Sequence, residues 1–167
     1  GTFMSNLGME KALQARDIPF VRAKVGDRYV MQELTARDWV LGGESSGHII
    51  CLDKTTTGDG LVSALQVLTQ MKFMQKPLHE LAGQMQMYPQ TMINVTLSKD
   101  AQAGAICQRD AVLAAVADSE ALLANEGRVL LRPSGTEPVI RVMVEGSDSE
   151  LVKKCCEAIA VVVREQI

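Results

Sequence analysis

The chain has 167 residues, of which 47% are hydrophobic and 22% are charged, a composition that suits one or two small globular domains and argues against disorder. Its 20 acidic and 17 basic residues leave a net charge of −3, so the sequence lacks the overall basic field of nucleic-acid-binding proteins. No apolar run reaches membrane-spanning length. We therefore predict neither a nucleic-acid partner nor a membrane partner.

The N-terminal half alternates helical and extended patterns, which is typical of an α/β layer structure. The predicted elements are a helix over residues 9–16, a strand over 20–24, a helix over 27–38, strands over 39–43 and 48–52, a helix from 59 to 75 and a shorter helix over 77–85. Asp59 is the predicted N-cap of the long helix. The apolar stripe of that helix consists of Leu61, Leu65, Leu68 and Met71.

Residues 88–90 (Tyr-Pro-Gln) break this alternation, and we place a domain boundary there, with domains at residues 1–87 and 88–167. The elements predicted beyond it are a strand over 91–97, a loop, a helix over 110–124 with a C-cap at 125–127, strands over 128–132 and 139–145, and a last helix that opens within 146–150 and ends near 164. This order predicts an α+β domain, in which a small sheet carries two helices on one face.

The loop between the last two strands has the chemistry of an anion site. It has the sequence Arg-Pro-Ser-Gly-Thr-Glu-Pro over residues 132–138, and a second arginine follows in the next strand. Guanidinium groups match phosphate oxygens in pairs, hydroxyls donate, and a glycine lets the backbone come close to an anion or take a positive φ. The predicted phosphate contacts are Arg132, Ser134, Gly135, Thr136 and Arg141. Because apolar residues alternate with the arginines, we expect both arginines on the sheet face away from the helices; a polar hairpin with surface arginines is the alternative.

A second polar turn, residues 43–48, has the sequence Gly-Glu-Ser-Ser-Gly-His. The Glu44 carboxylate and the Ser46 hydroxyl together suit a sugar diol. Their spacing places them on one side of an extended segment, and His48 continues the same phase. A hairpin turn with a structural histidine is the alternative.

Two further segments contain polar residues at predicted helix starts. Asp27 and Arg28 follow Gly26 at a strand-to-helix turn, where Asp27 serves equally well as a helix cap or as a ligand contact. Residues 55–60 (Thr-Thr-Thr-Gly-Asp-Gly) lack the glycine spacing of a dinucleotide-binding loop. Helix capping explains that segment better.

The four cysteines, at positions 51, 107, 155 and 156, have a spacing that matches no zinc or redox motif, and there are only two histidines. We therefore predict no metal site. Reduced, partly buried thiols in a cytoplasmic protein are the expected state.

These motifs resemble those of one enzyme family. Residues 132–138 resemble the phosphate-binding loop in the last domain of the α-D-phosphohexomutase superfamily, and residues 43–48 resemble its sugar-recognition loop, Gly-Glu-x-Ser-Gly-His. Residues 24–30 and 53–60 resemble the bacterial phosphoglucosamine mutases of that superfamily, and the similarity runs nearly end to end.

The resemblance implies a place for the chain in a longer protein. Members of the family have four domains, so residues 1–87 are expected to be an N-terminally truncated third domain and residues 88–167 the fourth. A phosphorylated serine in the first domain and a Mg²⁺-binding acidic loop in the second are absent from this sequence. No catalytic residue is therefore expected here, and the missing N-terminal domains become partners of this chain.

The resemblance also implies an activity, the interconversion of glucosamine 6-phosphate and glucosamine 1-phosphate through a bisphosphorylated sugar, as an isomerase step toward cell-wall precursors. Glu44 and Ser46 would hold two sugar hydroxyls, the turn with Asp27 and Arg28 would face the sugar, and the chain by itself would be inactive. Phosphomannomutase or phosphoglucomutase activity, a freestanding phosphosugar-binding module and homodimerisation are left open.

Overall fold

A computed structural model describes residues 1–98 and 100–167, so residue 99, in the loop predicted after residue 97, lies outside it. The chain divides into two compact units, Gly1–Met87 and Tyr88–Ile167. Among the described residues, no helix is both long enough and apolar enough to cross a bilayer.

The first unit contains four helices and a two-stranded hairpin. Its elements are α1 (Leu7–Gln14), α2 (Asp27–Arg37), β1 (Leu41–Gly43), β2 (Ile49–Cys51), α3 (Gly60–Met74) and α4 (Leu78–Ala82). The two strands pair antiparallel, with Gly43 opposite Ile49. A small core of Ala23, Val30, Leu34 and Ile50 lies between α2 and the hairpin.

Helix α2 packs closely against the hairpin because of its own sequence and that of β1. Val30 and Leu34, four residues apart, lie on the same side of the helix and are 2% and 3% exposed. A Cβ atom at Gly42 would lie 2.7 Å from Val30 Cγ1, so glycine at this position lets β1 approach α2. This packing fixes the 43–48 turn relative to the start of α2.

One prediction for this unit is wrong, and one apolar stripe is more exposed than its spacing would suggest. Residues 20–24 form no strand, because their only ladder contact is a single parallel bridge between Thr2 and Ala23. The predicted apolar stripe of α3 is not buried: Leu61, Leu65 and Leu68 are 80%, 59% and 57% exposed, because none of the described residues covers this face. The predicted long helix and its Asp59 cap are confirmed.

The second unit is a three-stranded antiparallel sheet covered by helices. Its elements are β3 (Gln90–Thr96), α5 (Ala103–Cys107), α6 (Asp110–Leu123), β4 (Gly127–Pro133), β5 (Val139–Gly146) and α7 (Ser149–Glu165). The strand order is β3-β5-β4, so β5 is central. Helix α7 packs on β3 and β5, and α6 packs on β4 and α7. The predicted fold class, an α/β part followed by a small sheet with helices on one face, is confirmed.

The core of this unit follows from alternation in β5 and periodicity in α7. Ile140, Val142 and Val144 have no exposed surface and face the helices. On α7, Val152, Cys155, Ile159 and Val163 are at most 2% exposed. Arg132 and Arg141 therefore lie on the opposite face of the sheet.

Two details differ from the sequence expectation. Helix α5 was predicted as loop; it is only five residues long, and burial of Ile106 and Cys107 stabilises it. The positive φ that ends α6 belongs to Ala124 (φ 48°), while Gly127 is extended (φ −159°) and begins β4. The predicted glycine C-cap is therefore wrong, since a short 3₁₀ turn, Ala124–Glu126, lies between α6 and β4.

Candidate functional site

The 43–48 turn closes the β1–β2 hairpin. The Glu44 N–H donates to the carbonyl of His48 (2.9 Å), and the Gly47 N–H donates to the carbonyl of Glu44 (3.0 Å). Gly47 has a φ of 95°, which favours glycine. The expectation that Glu44, Ser46 and His48 share one side of an extended segment is wrong, because the chain reverses direction between them. Glu44 and His48 instead face each other at the two ends of the turn, with Ser46 exposed at its tip.

Glu44 is oriented by the start of α2. The backbone N–H of Gly26 donates to Glu44 Oε1 at 2.9 Å, and Gly26 has a φ of 122° that turns its amide toward the hairpin. An N-terminal helix position favours an anion. A carboxylate accepts several hydrogen bonds, so Glu44 is held in place and can still accept from a ligand hydroxyl.

His48 lies between two other segments of the same unit. Its Nδ1 atom pairs with Asp27 Oδ1, and its ring lies against Gly58. The hydrogen bond to Asp27 is the main reason that the His48 pKa is raised, and hydrogen bonding to the backbone of Gly58 raises it further. Three segments that are distant in sequence therefore meet at this side chain, namely the start of α2, the 43–48 turn and the segment before α3.

Arg28 is the other predicted contact at the start of α2, and its side chain contacts the next residue, Tyr29. Its guanidinium lies 4.5 Å from the centroid of the Tyr29 ring and hydrogen-bonds to the Tyr29 hydroxyl, and this bond lowers the Tyr29 pKa. The structure thus brings Glu44, His48 and Asp27 together, while Arg28 packs on Tyr29.

An open cavity of 790 Å³ lies beside the hairpin in the same unit. Its lining is mainly apolar and includes Phe20, Trp39 and Leu41, with Glu44 and Ser45 at its border. An apolar lining suits hydrophobic side chains better than a phosphosugar. We therefore do not include this cavity in the candidate site.

In the second unit, Arg132 on β4 and Arg141 on β5 are directly opposite each other. Two like charges at one rung of an antiparallel ladder repel. Partial burial, and then the charge of Arg141, lower the pKa of Arg132. An anion bound between the two side chains would offset both their mutual repulsion and the cost of partly burying the Arg132 charge, since it would pair with two planar guanidinium groups at once.

Arg141 has donor capacity that the fold does not use. Its Nη2 atom pairs with Glu137 Oε2 at 2.9 Å, whereas its Nε atom is buried and, within residues 1–98 and 100–167, has no hydrogen-bond partner. A buried donor without a partner costs free energy. A phosphate oxygen is the kind of acceptor that would satisfy it.

The 132–138 loop is braced by one side chain. The Ser134 N–H donates to the carbonyl of Val139 (2.9 Å), and Ser134 Oγ accepts from the backbone N–H groups of Thr136 (3.4 Å) and Glu137 (3.3 Å). Gly135 has no atom within 4 Å of where a Cβ would lie, and its φ is not in the left-handed region. Of the two uses of glycine that the sequence left open, the structure shows the open approach to the backbone and not a positive φ.

Sequence reasoning missed two residues that shape these sites. Glu137 was not among the predicted contacts, although its i,i+4 spacing to Arg141 was visible in the sequence. Gly58 was interpreted only as part of a helix cap, and nothing in the sequence indicates its closeness to His48. No three His, Cys, Asp or Glu residues of the described chain are grouped to hold a metal ion.

All four cysteines are free and buried. Burial raises the pKa of Cys107 and of Cys156, so both thiols are protonated and poorly nucleophilic at neutral pH. The cysteines contribute to packing rather than to either candidate site.

Comparison with protein families matches both units. Residues 1–88 match the model described as phosphoglucomutase/phosphomannomutase, alpha/beta/alpha domain III. Residues 92–162 match the model described as phosphoglucomutase/phosphomannomutase, C-terminal domain. Each candidate site thus falls in a different matched domain.

Curated relatives have high identity. The chain is 56% identical to the phosphoglucosamine mutase of Thioalkalivibrio sulfidiphilus over 98% of its length, and 54% identical to that of Alcanivorax borkumensis over 100%. It covers 36% and 37% of those two proteins, and so spans a little over a third of the relatives it matches.

Solved structures of low identity share the fold. An N-acetylphosphoglucosamine mutase from Aspergillus fumigatus superposes with a TM-score of 0.79 at 18% identity, over 99% of this chain and 38% of that one. A structure of that enzyme with GlcNAc-6P and magnesium gives a TM-score of 0.75 at 17% identity, over 99% and 38%. At these identities the likeness concerns the fold alone.

Proposed function

Because the chain belongs to the phosphoglucomutase/phosphomannomutase family, we propose that it is the sugar- and phosphate-binding part of a phosphoglucosamine mutase. The intact protein would interconvert glucosamine 6-phosphate and glucosamine 1-phosphate through a bisphosphorylated sugar. The observation that carries the proposal is the Arg132–Arg141 pair on one rung of the β4–β5 ladder. Identity above 50% to phosphoglucosamine mutases favours the amino sugar.

The 132–138 loop would hold the phosphate group that does not react. Arg132 and Arg141 supply the guanidinium donors, and the exposed backbone at Gly135 lets a phosphate oxygen come close. The ion pair between Glu137 and Arg141 is largely exposed on the Glu137 side, so it is weak and can yield to a dianion. Ser134 and Thr136 would add hydroxyl donors.

The 43–48 turn would hold the sugar. Glu44, fixed by the Gly26 N–H, accepts from one hydroxyl, and Ser46 at the exposed tip meets a second. His48 and Asp27 place a hydrogen-bonded imidazole–carboxylate pair beside them, and Arg28 lies on the same helix turn. In either orientation of the ligand, the 132–138 loop would hold the phosphate that does not react, and Glu44 and Ser46 would hold two hydroxyls that exchange places on reorientation.

These residues contribute by positioning. In phosphoryl transfer, alignment and electrostatic stabilisation supply much of the catalysis. When bound, Mg²⁺ would supply charge neutralisation at the reacting phosphate. The residues present in this chain do not fit it, because the described part contains no suitable group of ligands. We place the ion, the phosphoserine and the acid–base residues in the remaining domains of the longer protein.

Those remaining domains are the proposed partners of this chain. The exposed apolar stripe of α3, with Leu61 at 80%, offers a surface for packing within the longer protein. Residues 1–87 would act as the sugar-recognition domain and residues 88–167 as the phosphate-binding domain. Four free cysteines suit a reducing compartment such as the cytoplasm.

Kinetics of the full-length protein test the proposal. We expect turnover of glucosamine 6-phosphate with a kcat/KM above those for the glucose and mannose phosphates, and no turnover by the 167-residue chain alone. Faster turnover of glucose phosphate or mannose phosphate would show that one of these, and not the amino sugar, is the preferred substrate. Phosphosugar binding without turnover by the full-length protein would indicate a binding module.

A further inference from the structure

We propose that Gly58 is a positioning residue: the absence of its side chain lets the imidazole of His48 lie between Asp27 and the segment before α3. This inference rests on the proposed function, in which His48 borders the bound sugar. The juxtaposition is visible only in the fold, since Gly58, His48 and Asp27 come from three separate segments.

The backbone does not explain why residue 58 is glycine. The glycines with positive φ in the described chain are Gly26 and Gly47, so the φ of residue 58 does not lie in the left-handed region that favours glycine. What excludes a side chain is the histidine ring. An ideal Cβ at Gly58 would lie 1.8 Å from Nε2 and 2.3 Å from Cδ2 of His48. Gly58 therefore provides space for this ring.

The backbone of Gly58 is itself held in place. It forms an antiparallel bridge with Ile50, which is 1% exposed and belongs to the core of the unit. Asp59, the next residue, caps α3 through the N–H groups of Leu61 and Val62. A methyl group at position 58 would thus displace the partly exposed His48 ring rather than the backbone.

Displacing the ring would separate it from the acidic groups that favour its protonated form. Asp27 and Glu44 are the charged groups that face His48, and both favour its protonated form. A cation held in advance stabilises an anionic ligand without the cost of reorganisation. If the ring moves away from Asp27, His48 loses both its orientation and the partner that stabilises its charge.

The test uses the full-length protein with Gly58→Ala and, as the matched control, Gly60→Ala. Gly60 lies two residues further on, as the first residue of α3, does not have a positive φ, and has no atom within 4 Å of a Cβ position. The His48 pKa is measured by NMR titration without substrate, with the signal assigned through its loss in His48→Gln. We expect Gly58→Ala to lower that pKa toward the ordinary value of about 6.5, and Gly60→Ala to leave it unchanged.

Kinetics on glucosamine 6-phosphate form the second arm. Gly58→Ala should lower kcat/KM by about tenfold to a hundredfold, the range expected for a misplaced contact, without lowering Tm. The double variant Gly58→Ala/His48→Gln should be no worse than His48→Gln alone, because both changes act on one side chain.

An unchanged His48 pKa in Gly58→Ala, or equal effects of the two glycine variants, would overturn the proposal. Additive kinetic losses in the double variant would do the same. If the unmodified protein has no mutase turnover, the proposed function fails, but the positioning role of Gly58 does not fail with it. The titration needs no substrate, so it still decides whether Gly58 positions His48.

Discussion

Arg132 and Arg141 share one rung of the β4–β5 ladder, and this places their side chains next to each other on one face of the sheet. Glu137 pairs with Arg141 Nη2, and Arg141 Nε has no hydrogen-bond partner among the described residues. At the scale of single residues, the loop is therefore better arranged for an oxyanion ligand than for its own stability.

Arg132→Lys in the full-length protein keeps the charge but loses the planar fork, so one of two parallel bonds to phosphate disappears. We expect kcat/KM to fall about tenfold to a hundredfold, from about 1.5–3 kcal/mol for a hydrogen bond to a charged group. Steady-state kinetics measure this, with the exposed Arg164→Lys as the control. Normal kinetics of the variant would show that Arg132 is an ordinary surface arginine. A large drop in Tm would show that its role is structural.

Glu44→Gln separates the two functions of the Glu44 side chain. The amide oxygen can still accept from the Gly26 N–H, so the turn is retained, while the charged acceptor for a sugar hydroxyl is lost. We expect kcat/KM to fall at least about tenfold while inhibition by inorganic phosphate stays constant. Glu33→Gln, in an exposed pair with Arg37, is the control. A parallel loss of phosphate inhibition would contradict two separate sites.

At the scale of elements, α3 differs from α7. Helix α7 is held by packing, since six of its residues are buried, whereas α3 has none. Most helices of this length depend on tertiary packing for stability. In the described structure, α3 therefore depends on its N-cap and its own propensity more than any packed helix does.

Asp59→Ala removes the side-chain oxygen that accepts from Leu61 N–H (2.8 Å) and Val62 N–H (3.0 Å). We expect a loss of about 1 kcal/mol, seen as about fivefold faster amide hydrogen exchange in α3. Asp59→Asn should keep the protection, because asparagine caps as well as aspartate. If both variants lost the same protection against hydrogen exchange, the charge of Asp59 and not its capping hydrogen bonds would stabilise α3.

At the scale of the whole molecule, the first unit exposes more large apolar side chains than a packed domain does. Phe73 is 79% exposed and Leu78 is 51% exposed, in addition to the stripe on α3. The second unit instead has a closed core, in which nine apolar side chains of β5, α6 and α7 have no exposed surface. The two units thus differ in how far their own residues cover their apolar surface.

Leu61→Gln combined with Leu65→Gln tests the significance of that surface. In the isolated chain we expect the double variant to bind less of a hydrophobic dye and to self-associate less, because contiguous apolar surface drives both. Leu122→Gln, at an exposed leucine on α6 in the other unit, is the control and should change little. Dye binding and light scattering measure the difference. A monodisperse wild-type chain that binds no dye would contradict the expectation.

The amino-acid sequence by itself determined the features that depend on near neighbours. Alternation in residues 139–145 indicated which face of β5 packs on the helices, the helical period indicated the core face of α7, and the Asp59 cap indicated the start of α3. The two polar motifs were also visible, because their residues are contiguous and their chemistry does not depend on the rest of the chain.

Only the tertiary structure decided the features that depend on distant partners. Residues 20–24 have a strand-like pattern but find a single bridge, and α5 forms because the second unit buries Ile106 and Cys107. The pairing of Asp27, His48 and Gly58 joins three segments, and sequence patterns do not encode such distances. Local periodicity specifies which side of an element is apolar, but register, burial and close approach are set by residues elsewhere in the chain.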